Sequence, residues 1–345
     1  MRKRLSLLLM INVFVGSSVF ALSDYVGWGC GGSDDLGGII LCTTNCTDWF
    51  RQGVGQITSN GTSGICSTDG GKVWVVGEPE NDYSAIYHSP NYGANWFRQG
   101  DETSLPNQTL QKVCVVGEDV VWAVGTIGTV VRTVNGGKTW KDVSVSGFST
   151  NLQGVAAINA QTAWVSGESD SNGYCGIFRT INSGTNWTRL VDAAITNVNH
   201  LLGLDAVDAN HIWAIGENQT VLYSSDAGNS WTQKFSNTQK DGNEVFAVGT
   251  NQIFAACDAQ VLWSKDNGNS WTNHTTWEYT LDVNTPDGGT NIWAIRGNHD
   301  GGQIYHSPDG GQNWTSQFQT NSFTSLFTLT FSKKTTPVGT IVLIK

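Results

Sequence analysis

Charged residues are scarce in this sequence, and basic residues are the scarcer kind. Only 14% of the residues are charged, with 19 Lys and Arg against 29 Asp and Glu, so the formal net charge is −10. A surface of this sign repels phosphate groups, so neither nucleic acid nor anionic lipid is expected as a partner. Glycine (41) and tryptophan (15) are abundant instead. Low charge with many turn-forming and aromatic residues is typical of an all-β extracellular domain.

Long apolar runs are missing after the first 21 residues, "MRKRLSLLLMINVFVGSSVFA". Three basic residues precede the apolar stretch there, and Val19 and Ala21 suit the last positions before a cleavage site. This pattern predicts a secretory signal peptide over residues 1–21. The stretch is shorter than the ~20 residues of a membrane span, so no membrane insertion is expected. We expect a secreted protein, periplasmic if the source is Gram-negative, with a mature charge of −13 from 16 basic and 29 acidic residues.

Cysteines number seven, and after export they would meet an oxidising compartment, so disulfides are expected. Cys66 and Cys114 each precede a tryptophan, Trp74 or Trp122, by eight residues. They therefore occupy equivalent positions in neighbouring repeats, and we predict that they pair. A second group of disulfide candidates could hold the N-terminus in place: Cys30, Cys42 and Cys46. The Cys and His spacings do not suggest zinc, and we expect neither a metal nor a cofactor.

One octapeptide spacing recurs along the chain. A small hydroxyl residue, an Asp or Asn, a glycine and a tryptophan stand at offsets of 0, 2, 4 and 7. The good copies are "SPNYGANW" (89–96), "TVNGGKTW" (133–140), "TINSGTNW" (180–187), "SSDAGNSW" (224–231), "SKDNGNSW" (264–271) and "SPDGGQNW" (307–314). A degenerate copy, "TTNCTDW", lies at 43–49. The tryptophans are 40 to 47 residues apart, a period that indicates repeated supersecondary units.

Each unit contains four short β segments separated by Gly, Asn and Asp, as residues 111–147 illustrate. Seven such units predict an all-β, seven-bladed β-propeller of four-stranded antiparallel blades over residues 22–331. The octapeptide is then the hairpin between strands 3 and 4. Its Asp or Asn bonds to backbone amides, its glycine supplies a positive φ, and its tryptophan fills the space between sheets. The residues assigned this structural role are Asn91, Trp96, Asn135, Trp140, Asn182, Trp187, Asp226, Trp231, Asp266, Trp271, Asp309 and Trp314.

The two ends of the chain are predicted to meet. The mature sequence starts with strand 2 of unit 1, "YVGWG" at 25–29, so its strand 1 must come from the far end, where "SLFTLTF" at 325–331 fits. Residues 332–345 are left as a β-prone C-terminal tail containing "VGTIVLIK". This segment either flanks "YVGWG" within one molecule or adds to the sheet of the next molecule, which would produce a filament.

With the repeated motif in place, the chain resembles the Asp-box, or BNR, repeat family. It is most similar to the photosystem II assembly/stability factor-like branch of secreted propellers, and more distantly to sialidase and sortilin-type propellers. The resemblance covers nearly the whole mature chain and implies the propeller fold. It says little about activity, because Asp boxes also occur in xyloglucan-cleaving hydrolases, receptors and lectin-like proteins, so function must be argued from a site.

Catalysis is not predicted. Sialidases bind the substrate carboxylate with three converging arginines, but Arg51, Arg98 and Arg189 each lie two residues after a box tryptophan and are spread around the rim. Other glycosidases need two facing carboxylates. Acids are plentiful, but xyloglucan-type enzymes resemble two such propellers and this chain supplies one. His88 and His306 directly precede boxes and are interpreted as strand positions.

The turns between strands 2 and 3 form the predicted binding face, opposite the boxes. They are long in units 1, 2, 4 and 7, and variable loops on a rigid scaffold often carry function. The candidate residues are Asp34, Asp35, Glu80, Asn81, Asp82, Tyr83, Asp170, Asn172, Tyr174, His299 and Asp300. Such a face suits sugar hydroxyls, a basic protein or Ca²⁺.

Seven N-x-S/T sequons are glycosylation candidates: Asn45, Asn60, Asn107, Asn186, Asn218, Asn273 and Asn313. We interpret the chain as a non-catalytic secreted interaction or scaffold module whose partner is an extracellular protein or glycan. The alternatives are a self-assembling fibre subunit that uses its terminal strands, a carbohydrate-binding propeller, and a glycoside hydrolase.

Overall fold

The computed structural model describes residues 22–190, 198, 200–237, 240–258, 260–274, 277, 279–298, 301–320 and 325–335. The predicted signal peptide (1–21), the segment 338–345 and the candidate residues His299 and Asp300 lie outside the described residues. Within the described ranges, no helix is both long and apolar enough to span a membrane.

Short strands joined by turns make up almost all of this structure. The two exceptions are 3-10 turns at Leu22–Asp24 and Glu217–Gln219. The strands are β1 (Tyr25–Asp34), β2 (Gly37–Thr43), β3 (Phe50–Gln52), β4 (Thr62–Ser67), β5 (Val73–Glu80), β6 (Tyr83–Ser89), β7 (Phe97–Arg98), β8 (Leu110–Val116), β9 (Val120–Gly125), β10 (Val130–Thr133), β11 (Lys141–Asp142), β12 (Leu152–Ala157), β13 (Ala163–Ser169), β14 (Cys175–Thr180), β15 (Thr188–Arg189), β16 (Leu201–Ala206), β17 (Ile212–Gly216), β18 (Thr220–Ser224), β19 (Thr232–Phe235), β20 (Gly242–Val248), β21 (Gln252–Cys257), β22 (Gln260–Ser264), β23 (Thr272–Asn273), β24 (Thr280–Asn284), β25 (Ile292–Asn298), β26 (Gly301–Ser307), β27 (Thr315–Gln319) and β28 (Leu326–Lys333).

The strands form seven antiparallel sheets of four strands, which confirms the predicted seven-bladed propeller. Blades 2 to 7 use consecutive strands, from β4–β7 to β24–β27, whereas blade 1 has the order β28-β1-β2-β3. The first strands of neighbouring blades contact one another all the way round, β28 to β4, β4 to β8 and onward to β24 and β28. They are therefore the innermost strands and surround the axis.

The C-terminal strand closes the ring, as the sequence predicts. Strand β28 pairs antiparallel with β1, and Gly27 lies opposite Phe331 in the register. A Cβ atom on Gly27 would lie 2.3 Å from the Phe331 ring, so this glycine makes room for the aromatic side chain. Leu326 and Leu329 of β28 are buried. The strand continues to Lys333, two residues beyond the predicted end of the propeller.

Seven hydrophobic clusters fill the spaces between neighbouring blades. Each combines an aromatic residue from strand 2 of one blade with the box tryptophan of the next blade, for example Trp28 with Trp96, or Trp74 with Trp140. The predicted packing role of the box tryptophans is confirmed. The strand 2 aromatics are the more deeply buried set, with 0% exposure: Trp28, Trp74, Trp122, Trp164, Trp213, Phe254 and Trp293.

The box turns have the predicted hydrogen bonding. In blade 7 the Ser307 hydroxyl donates to Asp309 (2.8 Å) and accepts the Gly311 N–H (2.8 Å), while Asp309 also accepts the Asn313 N–H (2.8 Å). These bonds lower the pKa of Asp309 to about 2, because they favour the ionised carboxylate. Gly311 has a φ of +87°, which confirms why glycine is needed. In the degenerate box of blade 1, Cys46 adopts a positive φ of 59° instead.

Replacing a box glycine by alanine is expected to cost more stability than the backbone conformation alone explains. Gly184 has a φ of +80°, and a Cβ there would lie 2.6 Å from the Val143 Cβ in the preceding blade. Gly147 has nearly the same φ (+77°), but a Cβ there would meet nothing within 4 Å. Gly147→Ala should therefore cost ~1 kcal/mol through backbone strain, and Gly184→Ala ~1–3 kcal/mol more through overpacking. Urea denaturation of both variants checks this, and equal losses would contradict it.

The predicted Cys66–Cys114 disulfide is wrong for this structure, in which neither of the two thiols is part of a disulfide. Residues at equivalent positions in neighbouring blades point in the same direction around the ring. Cys66 points from blade 2 into the cluster shared with blade 3, whereas Cys114 points from blade 3 towards blade 4. The two sulfurs therefore enter different inter-blade spaces. Cys30 and Cys42 share one cluster and Cys46 belongs to another, and none of the three forms a disulfide.

Candidate functional site: the axial funnel

Every innermost strand carries a β-bulge near its first residue. In β4, for example, the pairing register with β5 shifts between Thr62 and Gly64, so Ser63 is the extra residue. The same shift occurs in the other six blades. A bulge bends its strand and re-aims the extra side chain. The bulged residues, called here the bulge ring, are Ser63, Gln111, Gln153, Leu202, Asn243, Leu281 and Phe327.

All seven residues of the bulge ring line one cavity of about 410 Å³ at the end of the axis opposite the boxes. We call this cavity the axial funnel. Its wall has two sectors. Ser63, Gln111 and Gln153 of blades 2 to 4 form a polar sector, whereas Leu202, Leu281 and Phe327 of blades 5, 7 and 1 form a mainly apolar one, which Asn243 of blade 6 interrupts. Phe327 is 39% exposed, so an aromatic surface is available inside the funnel.

An ion pair crosses the axis at the floor of the funnel. Lys112 of blade 3 reaches Glu244 of blade 6 and donates to the Thr328 hydroxyl of blade 1 (3.4 Å). Lys112 and Thr328 also line a second cavity of about 230 Å³ deeper along the axis, so they mark the boundary between the two spaces. Burial opposes the charge on Lys112, but the carboxylates of Glu244 and Asp282 raise its pKa above the ordinary value.

Two further carboxylates at the axis join neighbouring blades. Asp282 accepts backbone N–H groups from Val283 and, across the blade boundary, from Leu329 (both 2.7 Å). Asp205 likewise accepts the N–H of Ala247 in the next blade (2.8 Å). Burial raises the pKa of Asp205 to about 6 and also raises that of Asp282. These acids therefore connect inner strands below the funnel.

A collar of acids surrounds the funnel one strand further out. Each lies near the end of strand 2 of its blade or directly after it, and its N–H donates to the carbonyl just before the innermost strand, at 2.8–3.0 Å. The collar consists of Glu78, Glu168, Glu217 and Asp258, in blades 2, 4, 5 and 6. Glu78 itself lines the funnel and is exposed. Asp258 accepts a hydrogen bond from Asn243 of the bulge ring (2.9 Å), so collar and ring are in direct contact.

Three acids of the predicted binding face are held by arginines of their own blades. Arg51 pairs with Asp34. Arg189 Nη1 lies 2.6 Å from Asp170, whose pKa it lowers to about 2. Glu80 accepts the Tyr87 hydroxyl (2.5 Å) and lies 3.9 Å from Arg98 Nη1. These arginines at the rim do not converge as those of a sialidase do. Instead, they hold the long loops of blades 1, 2 and 4 in place.

The other loop candidates that the structure describes stay close to their own blades. Arg98 lies over the Tyr83 ring at 4.4 Å, and Asn81 and Asp82 occupy the turn with positive φ. The Asn172 N–H donates to Asp170, while Asp35 and Tyr174 are exposed. Among the described contacts, none joins a candidate of one blade to a candidate of another. Ligand binding by these loops stays a prediction, as does glycosylation, although all seven sequon asparagines are exposed.

A larger cavity, about 630 Å³, opens at the box end between blades 6 and 7. Trp263 in its wall is only 9% exposed, because Phe254 stacks on it at 4.9 Å and the Lys265 ammonium lies 3.8 Å from its ring centroid. Little aromatic surface is left there for a ligand. The axial funnel, with its exposed Phe327 and one side chain from each of the seven blades, is the better candidate site.

Sequence reasoning missed the bulge ring and the floor of the funnel. A usable signal was present, because Lys112, Glu244 and Asp282 are ionisable residues inside otherwise apolar first strands. Ionisable groups are seldom placed in such strands without a partner. The bulge itself leaves no mark in a single sequence, since it depends on the pairing register of two strands.

Comparison with known proteins agrees with this architecture. The family model described as photosynthesis system II assembly factor YCF48 matches residues 195–322. Photosystem II assembly lipoprotein Ycf48 from Synechococcus sp. (strain CC9902) is 25% identical over 203 residues. Over these stretches the chain is similar to the Ycf48-like family of BNR-repeat β-propellers. The match spans 47% of this chain and 59% of the cyanobacterial protein, less than two thirds of its length.

Solved structures similar to this propeller show the same fold. Ycf48 bound to a D1 peptide has a TM-score of 0.55 at 17% identity, over 74% of this chain and 81% of that one. An ancestral GH74 enzyme has a TM-score of 0.60 at 15% identity, over 85% of this chain but only 47% of the enzyme. At such identities the likeness concerns the fold alone. The family resemblance inferred from the boxes is confirmed.

Proposed function

We propose that this chain is an exported, non-catalytic interaction module that binds a segment of a partner protein in the axial funnel. The observation that carries the proposal is the bulge ring, because seven blades each direct one side chain into a single concave site. The box residues repeat from blade to blade, as a structural role requires. The bulge-ring residues do not repeat, so they make a polar and an apolar sector that suit a peptide with mixed side chains. A Ycf48 structure that holds a D1 peptide supports protein binding as the function.

Peptide selection tests the proposal. A phage-displayed library of random dodecapeptides is selected on purified residues 22–345, and affinities of the selected peptides are measured by fluorescence anisotropy. Phe327→Ala should weaken their binding about tenfold or more, as the loss of a central aromatic contact does. Phe97→Ala is the matched control, because Phe97 is 56% exposed on the outer strand β7.

Both variants should keep the wild-type melting temperature, since neither phenylalanine is buried. A failure to select any peptide, or equal binding by the Phe327→Ala variant, would overturn the proposal. Binding on a glycan array in place of peptides would favour a carbohydrate-binding propeller instead.

A further inference from the structure

The wall of the axial funnel has an apolar sector, and acidic residues surround the funnel. This combination limits which ligands can bind there. We infer that its partner segment is basic and amphipathic, with Lys or Arg side chains next to an aliphatic or aromatic one. The inference rests on the proposed function, since it names the chemistry of the peptide that the funnel takes.

The acidic character comes from two levels around the axis. The collar contributes Glu78, Glu168, Glu217 and Asp258 from four of the seven blades. Below it, Glu244 and Asp282 face a single ammonium group, that of Lys112. Basic groups at this end among the described residues include Lys240, just before β20, and Arg296 on β25. The rim arginines, Arg51, Arg98 and Arg189, each lie beside an acid of their own blade. The acids outnumber the basic groups, so the funnel attracts cations.

The collar acids differ in how freely they can accept a hydrogen bond from a ligand. Asn151 donates to Glu168 (2.9 Å), Asn243 donates to Asp258 (2.9 Å), and His200 Nε2 lies 3.2 Å from Glu217. Glu78 is the exposed member, and it stands beside the polar sector of the bulge ring. A carboxylate can accept several hydrogen bonds, so Glu78 and Glu168 keep acceptor positions for an incoming ammonium or guanidinium group.

The apolar sector is the reason that the partner segment must also carry an apolar side chain. Leu202, Leu281 and Phe327 lie in blades 5, 7 and 1. Glu168 lies in blade 4, across the funnel from Phe327, and Glu78 lies in blade 2, next to blade 1. An extended segment alternates its side chains between two sides. A segment that crosses the funnel can therefore place an apolar side chain against Phe327 and a basic one against Glu78 or Glu168.

Three matched dodecapeptides test the inference. They share the same leucines at alternate positions and carry lysine, glutamine or glutamate between them, each labelled with fluorescein. We expect the lysine peptide to bind at least about fivefold more tightly than the glutamine peptide, and the glutamate peptide to bind most weakly. The advantage of the lysine peptide should shrink as sodium chloride rises from 50 to 300 mM, because salt screens exposed charges.

Variants assign the effect to the funnel. Glu78→Gln combined with Glu168→Gln should remove most of the advantage of the lysine peptide, whereas Glu118→Gln, an exposed acid in the turn between β8 and β9 at the box end, should leave it unchanged. Equal affinity for lysine and glutamine peptides, or no binding by any of the three, would overturn the inference. The library selection with Phe327→Ala tests peptide binding at the funnel independently of charge. The proposed function can therefore hold even if the preference for basic residues is wrong.

Discussion

Removing residues 325–345 is expected to leave a chain that no longer folds cooperatively. Blade 1 would lose β28, its innermost strand, and β1 would expose the edge that now pairs with residues 326–333. Leu326 and Leu329 would leave the core, at about 1.5–3 kcal/mol for each buried side chain. The contacts of β28 with both neighbouring inner strands, β4 and β24, would go as well. The sum approaches the 5–15 kcal/mol that typically separates folded from unfolded domains.

Circular dichroism during urea titration measures this effect. Residues 22–324 should show no cooperative transition, whereas residues 22–335, which retain all of β28, should unfold like residues 22–345. A sigmoidal transition of residues 22–324 at the midpoint of the longer chains would show that ring closure contributes little.

Replacing Lys112 by methionine is expected to destabilise the propeller by about 3 kcal/mol, the low end for breaking a buried ion pair. Glu244 is only 8% exposed, and the substitution would leave it without its counter-charge beside Asp282. Removing both members, in Lys112→Met with Glu244→Leu, should restore most of the loss, because Glu244 is then no longer buried without its counter-charge. Urea denaturation of the two single variants and the double variant gives the coupling free energy.

A surface pair provides the comparison. Lys72 lies 3.0 Å from Glu118, whose side chain is 57% exposed. Lys72→Met should cost no more than about 1 kcal/mol, since solvent screens exposed pairs. Similar losses for Lys72→Met and Lys112→Met would mean that water reaches the axial pair as freely as the surface one.

The sequence predicts the fold well because the repeated features are local. The bonds among Ser307, Asp309 and Gly311 span four residues, so their spacing alone specifies the turn, and its repetition specifies the number of blades. Ring closure by β28 could be predicted too, since one unit lacked a first strand and one strand-like segment was left over.

The site could not be predicted in the same way, because it depends on direction and register. The equivalent positions of Cys66 and Cys114 in their repeats predict that both lie at the same height in their blades. They do not reveal that both side chains point in the same direction around the ring, and so away from a common contact. Likewise, Ser63 and Phe327 look like ordinary strand positions until the pairing with β5 and β1 shows that they are bulged. Only when seven inner strands surround one axis do such residues face a common space.

Joining both chain ends in blade 1 also has a consequence for biosynthesis. The apolar β1 strand leaves the ribosome before the other strands of the propeller, and its partner β28 is made some 300 residues later. At ≈ 5–20 residues per second, the nascent chain spends roughly 15–60 seconds with that edge unsatisfied. Early blades can form during synthesis, but the circle locks only at the end, so a holding factor that shields "YVGWG" would act in just this interval.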